Sequence, residues 1–368
     1  MALRADRTRR ELSAAVREGA DAGELAAVLS RWIAPAVPHD ASCLVATSPA
    51  VGFGIPAFSF WDRVEPGVGQ ALMHRFYAGQ DPCSASELAR RPVPAGTVTA
   101  TALTEPSPGS PHPPLADLGV GGELRVLLRD TRGGVWGLLA LLRSRGVRPF
   151  DEADVRRAAR LGPVVREFLR AYVTSGPLTP ATPAPPPGVV IVGPDGAVRA
   201  ATPQADTWHE RLRTRGVPEW AGPSFLAGLA DHARAHGRGR RTGPPLLIGP
   251  AAPYGTWISC HAQLLVGEGE VEGGGTDRGE GARERGGGGE VAVVLHTPAR
   301  EHLLPSFCDW YGITLREREV VHHLCEGTAP KQIARHLHLS AHTVNDHIKA
   351  VLRKTGATGR DELTTALT

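Results

Sequence analysis

Apolar positions recur at helical spacing toward the end of the chain, cluster as strands in its middle, and thin out in Pro- and Gly-rich stretches between. The sharpest pattern is C-terminal: Val344, Ile348, Val351 and Leu352 fall at i, i+4, i+7 and i+8, one apolar stripe on a predicted helix that begins after Ser340. Its opposite face carries His342, Asn345, Asp346, Lys349 and Arg353, groups able to reach base edges and phosphates in a major groove. Upstream, Thr314 and Glu317 have capping-box spacing, which predicts a helix over residues 315–325 with Leu315, Val320, Val321 and Leu324 turned inward. Gly327 stops that helix, and Pro330 suits the first turn of another whose buried side is Ile333, Ala334 and Leu337. The short connection at residues 338–340, with Ser340 as N-cap, then makes a helix-turn-helix. Gly356 closes the third helix, and a last one over about 360–367 packs or dimerises through Leu363, Ala366 and Leu367.

Earlier in the chain Leu25, Val28, Leu29 and Trp32 predict a helix that Pro35 and Pro38 end. A strand follows at residues 42–46, then a Pro-, Gly- and Ser-rich segment to about 114 in which only residues 71–76 have helical spacing. Residues 124–129 and 135–142, joined by a turn at 130–134, predict a hairpin, and a helix is expected from Asp151 to about Tyr172. Residues 174–188 hold six prolines and predict a semi-rigid spacer. Beyond it come a second hairpin at residues 189–202, a helix around 205–212 and strands near 246–248, 256–266 and 291–295. Residues 267–290 are almost entirely Gly, Glu and Arg, too polar to offset their chain entropy, so a disordered loop is expected there.

A chain of 368 residues is long for one core and predicts two or three domains. Its net charge of +3 is too small for a polybasic nucleic-acid binder, and residues 315–368 have eight Lys/Arg against six Asp/Glu, so their cations must act by placement. The five cysteines are scattered and form no C-x-x-C pair, as expected of small buried hydrophobes in a reducing, cytoplasmic setting. No apolar run of about 18 residues is present, so no membrane partner is expected. No phosphate-loop motif appears, no catalytic constellation emerges, and neither an enzyme activity nor a cofactor is expected. His322, His323, His336, His338, His342 and His347 lie near Cys325, but His336 and His338 belong on different helix faces, which argues against a metal site. Trp136, Trp208 and Trp257 could line a ligand pocket, although burial habits favour core for all three.

The C-terminal residues Leu315, Arg316-Glu-Arg-Glu-Val320, Gly327, Lys331, Ile333-Ala334, Leu337, Leu339-Ser340, Thr343-Val344, His347, Lys354, Gly356 and Arg360 resemble the LuxR-type (NarL-type) DNA-binding module of bacterial transcription regulators. The resemblance implies an all-α four-helix helix-turn-helix domain at residues 303–368, with Asn345, Asp346 and Lys349 at bases and Lys331, Thr343, His347 and Arg353 at phosphates. Ala329 stands where the family usually has a capping serine, and Asn345 where it usually has a lysine; the second change should alter base preference more than binding. Asp346 either accepts from a cytosine amino group or pairs within the helix with Lys349.

Residues 136–155 are similar to the end of GAF-type sensor domains, and the strand order beyond the spacer is similar to a PAS-type domain. The expected architecture is therefore multidomain: a GAF-like α+β domain over residues 1–173, a Pro-rich linker over 174–187, a PAS-like α+β domain over 188–297, and the helical module. Such a chain is expected to bind double-stranded DNA as a homodimer, to respond to a small-molecule ligand or regulatory protein, and to work beside RNA polymerase. The alternative keeps the DNA module and makes the two α+β domains ligandless scaffolds for dimerisation or protein contact.

Overall fold

The structure, a computed structural model, describes residues 11, 14–52, 54–78, 83–106, 110–179, 183–239, 243–265 and 289–367. The insertion expected at 267–290 falls, except for its last two residues, outside them, as do residues 1–10.

The first unit runs α1 (Ala22–Ile33), β1 (Ala41–Ala46), β2 (Phe58–Asp62), α2 (Pro66–Ala78), α3 (Ala85–Arg90), β3 (Ala95–Thr97), α4 (Ala100–Thr104), β4 (Val120–Arg129), β5 (Val135–Ser144) and α5 (Glu152–Ser175). Its strands form an antiparallel sheet in the order β2-β1-β5-β4-β3, with Leu44 opposite Phe60 on one side and Leu139 on the other. Because side chains alternate across a strand, the two faces hold different cores. Leu44, Phe60, Leu124, Val126 and Leu139 meet Leu25 and Leu29 of α1 and Phe168 and Leu169 of α5. Cys43, Trp61, Leu127, Leu138 and Ala140 lie among Leu72 of α2, Leu88 of α3 and Leu103 of α4. The central strands are thus buried on both faces, which is why β4 and β5 read as near-continuous apolar runs.

The hairpin is fastened to α5 by a buried carboxylate. Asp151 caps that helix in a reciprocal capping box with Asp154. Asp154, fully buried, accepts from Arg143 (3.2 Å), Arg148 (2.9 Å) and Arg157, while the Arg143 guanidinium lies 3.9 Å from the Phe150 ring centroid.

The second unit runs β6 (Gly188–Val192), β7 (Val198–Ala201), α6 (Pro203–Leu212), α7 (Ala221–Gly237), β8 (Leu246–Gly249), α8 (Ala251–Tyr254), β9 (Ile258–Leu264) and β10 (Val291–His296), with sheet order β7-β6-β10-β9-β8. Val190, Val192, Cys260, Ala262, Val291 and Val293 face Trp208 of α6 and Leu226, Leu229 and Ala233 of α7. The Pro-rich stretch does not hold the two units apart, as a spacer would. The indole of Trp208 donates to the Pro186 carbonyl (2.8 Å) and Arg211 to that of Pro183 (3.1 Å), so residues 183–186 lie along the second unit. One continuous apolar core joins both units to the C-terminal helices.

Those helices are α9 (Arg300–Trp310), α10 (Leu315–Cys325), α11 (Pro330–His336), α12 (Ala341–Thr355) and α13 (Arg360–Thr365). Helix α9 is the wedge between them and the sheets. Leu303, Phe307 and Trp310, spaced i, i+4 and i+7, are buried; Phe307 packs on Trp257, and Trp310 on Phe58 and Trp136. Trp136, Trp208 and Trp257 are all core residues here, and none lines the large cavity between the two α+β units. That cavity has a volume of about 610 Å³ and lies against the α2 side of the first sheet, with residues 212–226 of the second unit across from it.

Candidate nucleic-acid interface

Local chemistry sets the ends of each helix in the module. Thr314 and Glu317 form the expected capping box, Gly327 takes a left-handed conformation (φ 75°) just after α10, and Gly356 does so (φ 73°) after α12. Ala329 offers no side-chain oxygen, yet half the box survives, because its N–H donates to Gln332 Oε1 at 3.3 Å. Ser340 caps α12 by accepting from the Thr343 N–H at 3.0 Å. Between α11 and α12 the chain turns through His338, a non-glycine residue at φ 53°, which keeps the connection short.

Val320, Leu324, Ile333, Ala334, Val344 and Ile348 then lock α10, α11 and α12 together. One expected inner residue is not inner: Leu315 is 67 % exposed. It is the first residue of α10, where the helix has barely begun to turn toward the core.

Packing this stripe inward leaves the other side of α12 in solvent. Asn345, Asp346, Lys349 and Arg353 are exposed there, His347 is half-buried, and Lys331 is exposed on α11. Among the described residues no carboxylate pairs with Lys331, Lys349 or Arg353, so these cations are free to meet an external anion. Thr343 is half-buried and its hydroxyl lies 2.9 Å from that of Ser340. Asp346 has its nearest partner in His342 (3.4 Å) rather than in Lys349. Of the histidines, His322 and His323 both approach Glu326, and the rings of His323 and His336 lie 5.4 Å apart.

Leu363, Ala366 and Leu367 are buried within the chain itself, Leu363 with no exposed surface. Leu363 and Leu367 share a core with Val321, Val351, Trp310 and Ile313. Of the two roles open to them, packing and dimerisation, the fold realises packing, and a dimer formed through these three would first have to lift α13 away.

The sequence pattern did not reveal what holds α12 to α10 across their polar edge. Lys354 donates to Glu317 Oε2 at 2.5 Å and to the Gly312 carbonyl at 3.0 Å, so this cation serves the fold and not the groove. Burial by itself would raise the Glu317 carboxyl, but hydrogen bonds from Lys354 and Thr314 outweigh it and hold the group below its usual 4.5. The depressed value means this stabilisation is complete above about pH 4.5 and fades as pH falls through the lower folded value. Lys354→Met should destabilise the module by about 1–3 kcal/mol and flatten its acid sensitivity, while leaving base preference unchanged. A melting series from pH 3 to 7 checks this, and equal acid sensitivity in both proteins would contradict it.

Residues 312–367 match the family of bacterial regulatory proteins, luxR family. No curated protein matches the chain. The matched part is the helix-turn-helix with its flanking helices, and it carries the DNA-binding character of that family. Among the described residues no helix is long and apolar enough to cross a membrane.

Proposed function

We propose that the chain is a sequence-specific, DNA-binding transcriptional regulator that acts as a homodimer. In this reading, residues 303–368 bind duplex DNA, and GAF-like and PAS-like units at 1–173 and 188–297 sense a small molecule or partner and set the geometry of binding. The observation that carries it is the outer face of α12, where Asn345, Lys349 and Arg353 stand exposed while Val344, Ile348 and Val351 are buried. Asn345 offers the bidentate amide that suits adenine, and Lys349 a donor for guanine. Asp346 is the specificity element, accepting from cytosine once its weak contact with His342 is exchanged. Lys331, Thr343, His347 and Arg353 meet phosphates, and the two copies touch through surfaces other than Leu363, Ala366 and Leu367. Sensing is favoured over a ligandless scaffold by the cavity of about 610 Å³, a size that falls in the range of small-molecule sites.

Selection of random duplexes by the full chain, followed by binding of its variants, tests this. Asn345→Ala and Lys349→Ala should each weaken the selected site by about 1–3 kcal/mol and relax preference at one base pair. Lys331→Ala should weaken every duplex alike and reduce the slope of log K against log salt by about 1. If all three variants lost the same affinity on selected and random DNA, the division into base and phosphate contacts would be wrong.

A further inference from the structure

The cavity between the two α+β units has a wall that explains neither fold stability nor DNA binding. Glu123 and Arg125, neighbours on one face of β4, point into the core side that otherwise holds Cys43, Trp61 and Leu138. Both are buried, Glu123 to 1 % exposure. Arg125 Nε donates to Glu123 Oε1 at 2.5 Å and its NH1 to the Cys83 carbonyl at 3.2 Å, so the cation is engaged. The second carboxylate oxygen of Glu123 has no hydrogen-bond partner among the described residues. A buried acceptor left unmet beside a cavity is costly to the fold, and a donor brought to it by a bound molecule would remove that cost.

The rest of the wall sets the shape and polarity of what fits. On the first unit's side Trp61, Leu72, Met73, Phe76 and Tyr77 give it an apolar lining, His209, Arg213, Arg215 and Glu219 of the second unit add polar groups, and its volume suits a small organic molecule. Trp61 cannot supply the missing donor, because its indole N–H already donates to Ser59 at 2.7 Å. The site also belongs to both units. Trp220, just before α7, packs edge-on against Trp61 with centroids 4.9 Å apart and lies so close to Gly69 of α2 that a Cβ there would fall 2.1 Å from its ring. Gly228 of α7 meets the Tyr77 ring with the same closeness. An occupant therefore contacts the first sheet and the segment that clamps the second unit onto it.

We propose that this cavity binds a flat, mainly apolar small molecule bearing a terminal amine, which is anchored by Glu123 Oε2 and bridges the two units. The assignment deepens the sensing half of the proposed function. It is tested without DNA, so its failure leaves the helix-turn-helix reading standing, and a failure of DNA binding leaves the cavity untouched.

The probes are tryptamine and indole-3-propionate, which share a ring and differ in carrying a donor or an acceptor at the end of the chain. Titration of the full-length protein by calorimetry should show saturable binding of tryptamine and at least about tenfold weaker binding of the acid. Glu123→Gln should remove that preference. Since Glu123→Gln also loosens Arg125, a second variant leaves the pair intact: Val217→Trp, which fills the cavity from the second unit, should abolish tryptamine binding with the circular dichroism spectrum unchanged. Three results overturn the proposal: tighter binding of the acid, which would make Arg125 the anchor; undiminished binding to Val217→Trp; and no saturable binding of tryptamine at millimolar concentration.

Discussion

Trp310→Ala is expected to uncouple the DNA-binding helices from the sheets, at a cost of about 3–5 kcal/mol for a fully buried indole. Trp310 sits at the end of α9 with ring centroids 5.8 Å from Phe58 and 5.1 Å from Trp136, both in the first unit. Its carbonyl accepts from Arg170 Nε of α5 at 3.1 Å. The residue before it adds a polar link: Asp309 Oδ2 accepts from the Ser48 hydroxyl at 3.2 Å and the Ala50 N–H at 2.9 Å, while Oδ1 pairs with Arg318 of α10. One turn of helix thus holds the strand β1 loop, the long helix and the helix-turn-helix together. Removing the indole leaves a cavity where all three meet, and the surrounding rings cannot all collapse into it. Differential scanning calorimetry should show the single unfolding event of the wild type split, with the C-terminal helices melting earlier. Limited proteolysis should then cut between residues 297 and 312. An unchanged, unsplit transition would mean that the module is held by other contacts. If the cavity's occupant sets DNA binding as proposed, this wedge is the route between them, and the variant should bind DNA with an affinity that does not respond to tryptamine.

How much of this was legible in the sequence follows from which forces act locally. Helices α10 to α12 were readable to within a residue because their ends are set by side chains a few positions away: Thr314 with Glu317, Pro330, and Ser340 with Thr343. The hairpin β4–β5 and the strands of the second sheet were readable for the same reason, as apolar runs bounded by turns. Helix α7 was not, since Gly222, Pro223 and Gly228 mask the spacing of Leu226, Leu229, Ala230 and Ala233. Helix α9 was hidden likewise by Pro305 and by Glu301, His302 and Asp309 around Leu303, Phe307 and Trp310. The short elements β2, β3, α3 and α4 are made by the sheet they join and not by their own periodicity. The exposed polar side of α12 was visible as the complement of an apolar stripe. The cavity was not, because Glu123 and Trp61 come to line one wall only when β2, β1, β5 and β4 pair. Prolines predict stiffness between residues 174 and 187, but whether such a segment spaces or packs depends on what Trp208 and Arg211 find to donate to.

Asp154→Ala should be the most damaging single change in the first unit, again about 3–5 kcal/mol, because it strands a buried cation. Arg143 is only 4 % exposed, and its other partners are the carbonyls of Pro38, Arg148 and Pro149, which cannot balance its charge. The carboxylate also completes the capping box of α5, accepting from the Asp151 N–H at 3.2 Å, so its loss frees a helix end as well. Burial tends to raise the Asp154 carboxyl, and the hydrogen bonds from Asp151, Arg157 and Arg143 outweigh that and hold it below its usual 3.8. A depressed carboxyl stabilises the fold above about pH 3.8 and ceases to do so as pH falls through its folded value. Asp154→Asn separates the two effects: it keeps the shape and loses the charge, so it should be destabilised near neutral pH yet lack the part of the acid-induced loss that this group contributes. Denaturant unfolding of the three proteins at pH 7 and about pH 2.5 measures both. If the alanine variant lost less than about 1 kcal/mol, the arginines would have to be solvated on unpairing, contrary to the burial of Arg143. The function follows from the position of the pair, since Arg143 ends the strand that carries Trp136 and α5 carries Arg170, the two groups that receive Trp310. Weakening Asp154 should therefore also loosen the seat of the DNA-binding module, and the C-terminal transition of Asp154→Ala should fall together with that of the first unit.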